Sequence, residues 1–422
     1  MTVERGEEFR HLHRIAERGG SIRIAYNADL DSASAASILF SAARRLGVRA
    51  VARSYSVVLD LSRIRPEISD DDLLVVVGLL VKGEPTVAGI KDIALIEPGD
   101  YRERGELFAG GVRGSASLMA LDSLKDYTPF QLVRALVGHY AARCYLWDAP
   151  CDDAAAFALS KGGDLLATSP ETLMLALRKS APIDMSIRMT LYPDMAAIIG
   201  DQSALAEGLR AAGICGDSCP ALDDIEGARD RMSALRSYLS GILPHGLLER
   251  LTSNRVLIRP DAGILSDLSD LSLLEDAIAF KEGPQAALAD SLSSYPRAAS
   301  DGLRSLIEIS KYIPKAISSI RRSASKGTRA VLVEDLDVPG AASAEVLLKS
   351  ATFPMVEDDQ LLVMRLAVGI GGTYIIGSRH RAPLDGLLKE VEGMGAHHVS
   401  CGPLTRLWIP PEEDRRFQSL LA

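Results

Sequence analysis

Residues 73–77 read Leu-Leu-Val-Val-Val, without one polar side chain. Successive side chains of a strand point to opposite faces, so a strand of this composition must be covered on both sides. Such strands belong inside a mostly parallel sheet with helices on both faces. The flanking segments agree. "SIRIAY" (21–26) reads as a buried strand, followed by a helix from Ser32 to Leu46 that Gly47 ends. "VRAVARSYSV" (48–57) and "DIALIEP" (92–98) read as further strands. "GSASLMALDSLKDY" (114–127) and "TPFQLVRALVGHYAARCYL" (128–146) read as helices, the second opened by Thr128 as N-cap and Pro129 at the first position. Ligands of such sheets bind at the carboxyl ends of the strands.

Beyond residue 150 the strand pattern nearly vanishes. "SALAEGLRAAGI", "EGARDRMSALRSYLSGIL", "LSLLEDAIAFKEG", "PQAALADSLSSY" and "DGLRSLIEISKYIPKAISSIRRSASKG" carry apolar residues at helical spacing. The basic run "SIRRSASKGTR" (319–329) reads as a linker, and as a solvated helix end before a phosphate contact. Strands return in "RAVLVEDL", "LLVMRLAV" and "GTYIIGSR", then a helix "PLDGLLKEVEGMG", a strand "LTRLWIP" and a short helix "EDRRFQSLLA". The expected architecture is α/β: a mostly parallel-sheet domain (1–150), a helical connector (151–327) and a smaller α/β domain (328–422).

Composition narrows the class. With 47% hydrophobic and 24% charged residues the chain is an ordinary globular one. No apolar run spans a bilayer, and the charged opening "MTVERGEEFRHLHRIAERGG" is no signal or transit peptide, so a cytoplasmic protein with no membrane contact is expected. A net charge of −9 favours protein partners or a small contact area over extended grip on nucleic acid. Aromatic residues at 5% argue against extensive base stacking. The cysteines (Cys144, Cys151, Cys215, Cys219, Cys401) form no disulfide framework, and "CGDSC" (215–219) has the wrong spacing for a zinc ribbon. They read as loop and surface thiols.

Several segments, in order, resemble the DHH phosphoesterase superfamily, and within it archaeal RecJ-like proteins. "AYNADLDSASAASIL" (25–39) is similar to that family's Asp-x-Asp-Gly-x-x-Ser-Ala segment, and "GSASLMALDSL" (114–124) to the helix after its DHH motif. "YPDMAAIIGDQSALAEGLRAAGI" (192–214) and "LLEDAIAFKEGPQAALADSLSSY" (273–295) resemble the helical middle of archaeal RecJ-like nucleases. "GSRHR" (377–381) and "MGAHHVSCG" (394–402) resemble the DHH-associated C-terminal domain, with its Ser-x-Arg strand and glycine-rich His turn.

Active members of that family hold a pair of Mn²⁺ or Mg²⁺ ions with a dense set of carboxylates and histidines, which bracket the attacking water. Here Asp29 and Asp31 match the first motif. Gly78 stands where the second motif places an aspartate. Glu97-Pro98-Gly99 stand at the DHH triplet, and His139 follows Gly138 where a late aspartate is expected. Adjacent histidines occur only at His397 and His398. So few hard donors do not readily fix two cations about 3.5–4 Å apart. Asp29 and Asp31 then read either as helix-terminus acids, with Asp31 or Ser32 the cap, or as a residual single-metal site, the first being favoured.

At the C-terminal turn Gly395, His397 and Gly402 match the pattern, while Met394, Ala396, Ser400 and Cys401 replace glycine or alanine. Ser378, Arg379, Gly395 and His397 are the nucleic-acid contacts the resemblance implies, since arginine pairs well with phosphate. Against them stand a surface salt bridge for Arg379 and turn packing for His397 and His398. The resemblance also implies a role. The RecJ-derived subunit of the CMG helicase keeps this fold without the metal site and joins GINS to the MCM ring. A metal-free scaffold for DNA replication is therefore expected, with GINS as partner, MCM reached through it, and single-stranded DNA as a further ligand. The alternative is an active Mn²⁺- or Mg²⁺-dependent single-strand exonuclease or phosphoesterase using Asp29, Asp31, Glu97 and His139. A nucleotide sensor is a third reading.

Overall fold

Four parallel strands form the first sheet: β1 (Ser21–Asn27), β2 (Arg49–Tyr55), β4 (Leu73–Val77) and β6 (Asp92–Ile96), in the order β2-β1-β4-β6. Two short parallel strands, β3 (Val58–Asp60) and β5 (Leu80–Lys82), pair beside it. The computed structural model describes residues 15, 17–83, 88–96, 115–124, 126–142, 160–259, 267–283, 285, 286, 288, 295–334, 341–367, 372–401 and 404–421.

β4 is buried at every position, as its composition demands. Leu73, Val75 and Val77 enter the core formed with α1 (Leu30–Arg45), α2 (Ala116–Asp122) and α3 (Pro129–Ala142). Leu74 and Val76 enter a second core with Leu59, Leu61 and Ile64 on the opposite face. Alanines and serines on α1 let its neighbours approach closely. A Cβ on Gly138 of α3 would lie 2.5 Å from the Ser117 hydroxyl and 2.8 Å from the Ser34 Cβ, so only glycine fits that crossing. Thr128 caps α3 as expected. Its hydroxyl accepts from the Gln131 amide (3.2 Å) while the Gln131 side chain accepts from the Thr128 amide (2.9 Å), a reciprocal capping box.

The middle of the chain differs from the sequence reading in two ways. It holds an antiparallel pair, β7 (Leu166–Leu173) and β8 (Thr252–Ile258), with a register shift between Ser169 and Thr172. β7 reads "LATSPETL" and lacks apolar alternation, so no strand pattern is visible in it. The two cysteines expected as free thiols, Cys215 and Cys219, form a disulfide across a Cα separation of 4.4 Å. The helices α4 (Leu268–Glu282) and α5 (Tyr295–Ser323) pack along each other, and shorter helices fill the region between residues 183 and 250. The expected helix "PQAALADSLSSY" falls largely outside the described residues.

A six-stranded mixed sheet closes the chain: β9 (Ser325–Lys326), β10 (Ala330–Val333), β11 (Leu361–Leu366), β12 (Gly372–Ser378), β13 (His397–Cys401) and β14 (Leu404–Ile409), in the order β13-β14-β12-β11-β10-β9. Helices α6 (Ala341–Met355), α7 (Arg381–Glu392) and α8 (Asp414–Leu421) accompany it. "SIRRSASKGTR" is no linker: it is the last turn of α5 running into β9, which pairs with β10. The "MGAHHVSCG" segment is a turn only as far as Ala396, after which it is β13. Helix α6 was not expected. One apolar core runs from Leu173 through α5 and this sheet to Leu421. Among the described residues no helix is long and apolar enough to cross a membrane.

Candidate functional site

The carboxyl ends of β1 and β4 are where this sheet type places a ligand. Asp29, two residues past β1, is the N-cap of α1: its Oδ1 accepts from the Ser32 amide (2.9 Å). The cap is therefore Asp29, not Asp31 or Ser32. Its Oδ2 accepts from the Asn27 amide group (2.6 Å), the Ser32 hydroxyl (2.7 Å) and Arg406 Nη2 (2.8 Å). Arg406 comes from β14 of the distant sheet and is 2% exposed. It also donates from Nε (2.7 Å) and Nη2 (3.0 Å) to the two oxygens of Glu345 on α6, and from Nη1 to the Gly78 carbonyl (3.2 Å). Asn27 joins the set by donating to Glu345 (3.0 Å). Such a paired fork of hydrogen bonds is among the stronger ones a protein makes.

Gly78 explains itself in this setting. Its φ is +63°, and a Cβ there would lie 2.3 Å from the Ser32 hydroxyl. A side chain would therefore be both strained and clashing, where the bare carbonyl serves Arg406. Across the site Asn27 accepts from the Val57 amide (3.0 Å), holding a β-branched residue at φ 57°, an uncommon conformation for valine. Lys349 of α6 is buried too; it donates to the Ala141 carbonyl (2.9 Å), and its charge acts on Asp29.

Asp31 does a different job. It accepts from the Ala116 amide (2.7 Å), the Ser117 amide (3.0 Å) and the Ser117 hydroxyl (2.5 Å), and so satisfies the first-turn amides of α2. The two aspartates titrate apart. Burial pushes Asp29 up, but Arg406, Asn27, Ser32 and Lys349 outweigh it and hold its carboxyl below the ordinary range. Burial, followed by the neighbouring Asp29 charge, raises Asp31 despite its bonds to Ser117 and Ala116.

A metal pair does not fit these donors. Both Asp29 oxygens are already bonded, and the guanidinium already supplies positive charge against them. His139 is buried in α3 with Nδ1 3.2 Å from the Ser115 hydroxyl. Glu97, Pro98 and Gly99 lie outside the described residues. Among the described residues no group of three or more His, Cys, Asp or Glu is arranged to hold a metal ion.

The C-terminal residues are dispersed. Ser378 is fully buried, its hydroxyl donating to the His380 carbonyl (2.5 Å). Arg379 donates to Asp358 (3.2 Å) and to the Phe353 carbonyl, with its guanidinium over the Phe353 ring. Gly395 sits in the exposed turn at φ +67°, and a Cβ there would meet only Pro410 within 4 Å. His397 opens β13, its ring 5.7 Å from Trp408, over which Lys82 lies. Gly402 is outside the described residues. The sequence reading missed Asn27, Glu345, Lys349 and Arg406. One sequence signal was available: an arginine inside the otherwise mostly apolar segment "LTRLWI".

No protein-family model and no curated protein matches this sequence. Solved structures do. The chain is similar to CDC45 from Entamoeba histolytica at 12% identity, TM-score 0.65, covering 98% of this chain and 97% of that one. It is more loosely similar to RecJ in complex with Mn²⁺ from Thermus thermophilus, at 12% identity and TM-score 0.45, covering all of this chain and 55% of that one. The second likeness is too loose to build on. The first establishes a shared fold: this chain has a CDC45-like α/β architecture, which is the fold the DHH-type resemblance implies.

Proposed function

We propose that this chain is a non-hydrolysing RecJ-like protein that serves as a structural subunit in DNA replication, binding GINS and, through it, the MCM helicase. One observation carries the reading: the Arg406 guanidinium occupies the ligand end of the first sheet and ties it to α6 and β14. A hydrolytic site needs surplus negative charge there to draw in cations; this one is neutralised from within. The near-complete overlap with a CDC45 fold supports the same reading, as does a net charge of −9. In this view Asp29 and Asp31 are acids of a metal site turned to structural use. Contact with a DNA strand at the C-terminal turn would fall to Gly395 and His397, since Ser378 is buried and Arg379 is engaged by Asp358 and the Phe353 carbonyl.

Two measurements test this. The purified chain mixed with GINS from the same organism is expected to co-elute as a stable complex on size exclusion at micromolar concentration; separate elution sinks the partner. Labelled single-stranded DNA incubated with Mn²⁺ is expected to remain intact. Cleavage abolished by Asp29→Ala would overturn the non-hydrolysing reading.

A further inference from the structure

Helix α5 is 29 residues long, and its buried face (Leu306, Ile309, Ile313, Ile317, Ile320) belongs to the large core. On the outer face Arg304, Lys311, Lys315 and Arg322 are all exposed. At 3.6 residues per turn these four fall within an arc of roughly 40° and span about 27 Å, a single file of cations. Ser318 flanks the file on one side, its hydroxyl donating to the Pro314 carbonyl (2.8 Å), and Glu308 flanks it on the other.

The cations are compensated unevenly. Asp301 pairs with Arg304 at 3.7 Å, and Glu308 pairs with Lys281 at 2.8 Å while also lying within reach of the Arg304 and Lys311 charges. Lys315 and Arg322 make no ion pair among the described residues. Arg321 and Arg322 sit in the last turn, where the helix dipole favours positive charge. That accounts for neither Lys311 nor Lys315, which stand four apart as like charges, a mildly destabilising spacing.

We infer that the outer face of α5 binds the sugar–phosphate backbone of a nucleic acid, without regard to sequence, through Lys311, Lys315 and Arg322 with Arg304 at the far end. Charge and hydroxyl groups are what backbone contacts need. A protein partner would draw most of its energy from apolar or aromatic anchors, and the row holds none. Tyr312, the large exposed side chain nearby, lies off the row with its ring 5.7 Å from Phe280. The inference does not depend on the role proposed above.

The test uses the full chain and fluorescence anisotropy with a fluorescein-labelled oligonucleotide, single-stranded in one arm and duplex in the other, across a salt series. Three to four phosphate contacts predict a log–log salt slope of about −2 to −3.5. Lys311→Glu/Lys315→Glu/Arg322→Glu is expected to weaken binding at least ~tenfold and flatten the slope by about 2. The corresponding glutamine triple reports in the same direction if the glutamate variant folds poorly. A control with the same charge change at scattered exposed positions, Arg229→Glu/Arg231→Glu/Lys389→Glu, is expected to keep its slope. Binding in either arm supports the inference and identifies the strand form. Equal losses in both variants, no binding in either arm, or stronger binding of polyglutamate than of either oligonucleotide would overturn it.

Discussion

The site at the end of the first sheet and the charge cluster of the middle region both bury acids beside arginines, with opposite balance. In the first, Asp29 and Glu345 face Arg406 and Lys349, and Asp29 stays ionised. In the second, Arg178 meets Asp223 (2.7 Å) and Glu226, while Arg255 meets Asp267 (2.5 Å) and Asp223 (3.4 Å). That leaves Asp270, fully buried and accepting from the Leu177 amide (2.7 Å), as a surplus acid. Burial, with the nearby Asp267 charge, pushes its pKa well above the ordinary range. A buried carboxylate keeps its charge where a cation is matched to it and takes up a proton where none is left. The first site also shows how one arginine brought from a distant strand neutralises the negative charge at the ligand end of a sheet.

The sharpest break of this contrast is Arg406→Ala. It strands Asp29 and Glu345 as buried anions and is expected to lower unfolding free energy by about 3–5 kcal/mol in urea melts. Arg406→Met combined with Asp29→Asn and Glu345→Gln should recover most of that loss, because the anions leave with the cation. A loss below about 1 kcal/mol for the single change would show that the lattice carries little.

Asp194 extends the middle region's pattern. It caps the helix Met195–Ile199 through the Ala197 amide, and burial raises its pKa to about 6 against the bonds from Ala197 and Ala196. The folded form therefore holds its proton at pH values where the unfolded chain has released it. Stability from this group is full below about pH 4 and falls as pH rises to about 6, by up to about 3 kcal/mol. Asp194→Asn should remove that slope and leave the protein more stable at neutral pH, read from urea melts across the range.

Gly78→Asp restores the residue type expected at that position. The clash with Ser32 and the positive φ predict a loss of about 2–3 kcal/mol, with no Mn²⁺ binding gained in calorimetry. Binding of the metal would mean that Arg406 is readily displaced. The smallest effect is expected for Asp31→Asn, about 1 kcal/mol in the same urea melts, since an amide oxygen still accepts from the α2 terminus.

Much of the scaffold was legible in short stretches. Leu73–Val77 announces a strand covered on both faces, Thr128 and Pro129 announce the start of α3, and the apolar spacing of α5 announces a helix, because each pattern is local. β7 was not legible, since Pro170 and its polar neighbours carry no period. Helix α6 was overlooked between two strands, and with it Glu345 and Lys349. Ser378 and Arg379 showed chemistry suited to phosphate, but burial and the nearby Asp358 and Phe353 are properties of the packing.

By itself the sequence determined that a parallel sheet forms, that two aspartates stand at its ligand end, and that Gly78 and the Glu97-Pro98-Gly99 segment lack the ligands that the DHH-type resemblance implies. Those facts depend on residue identity and short-range spacing. Tertiary structure alone decided what fills the site. Arg406 lies 377 residues from Asp29 along the chain, and no periodicity or spacing spans that gap. Only packing of the last sheet against the first brings the guanidinium to the carboxylate, and only burial makes their charges bind rather than dissolve into solvent.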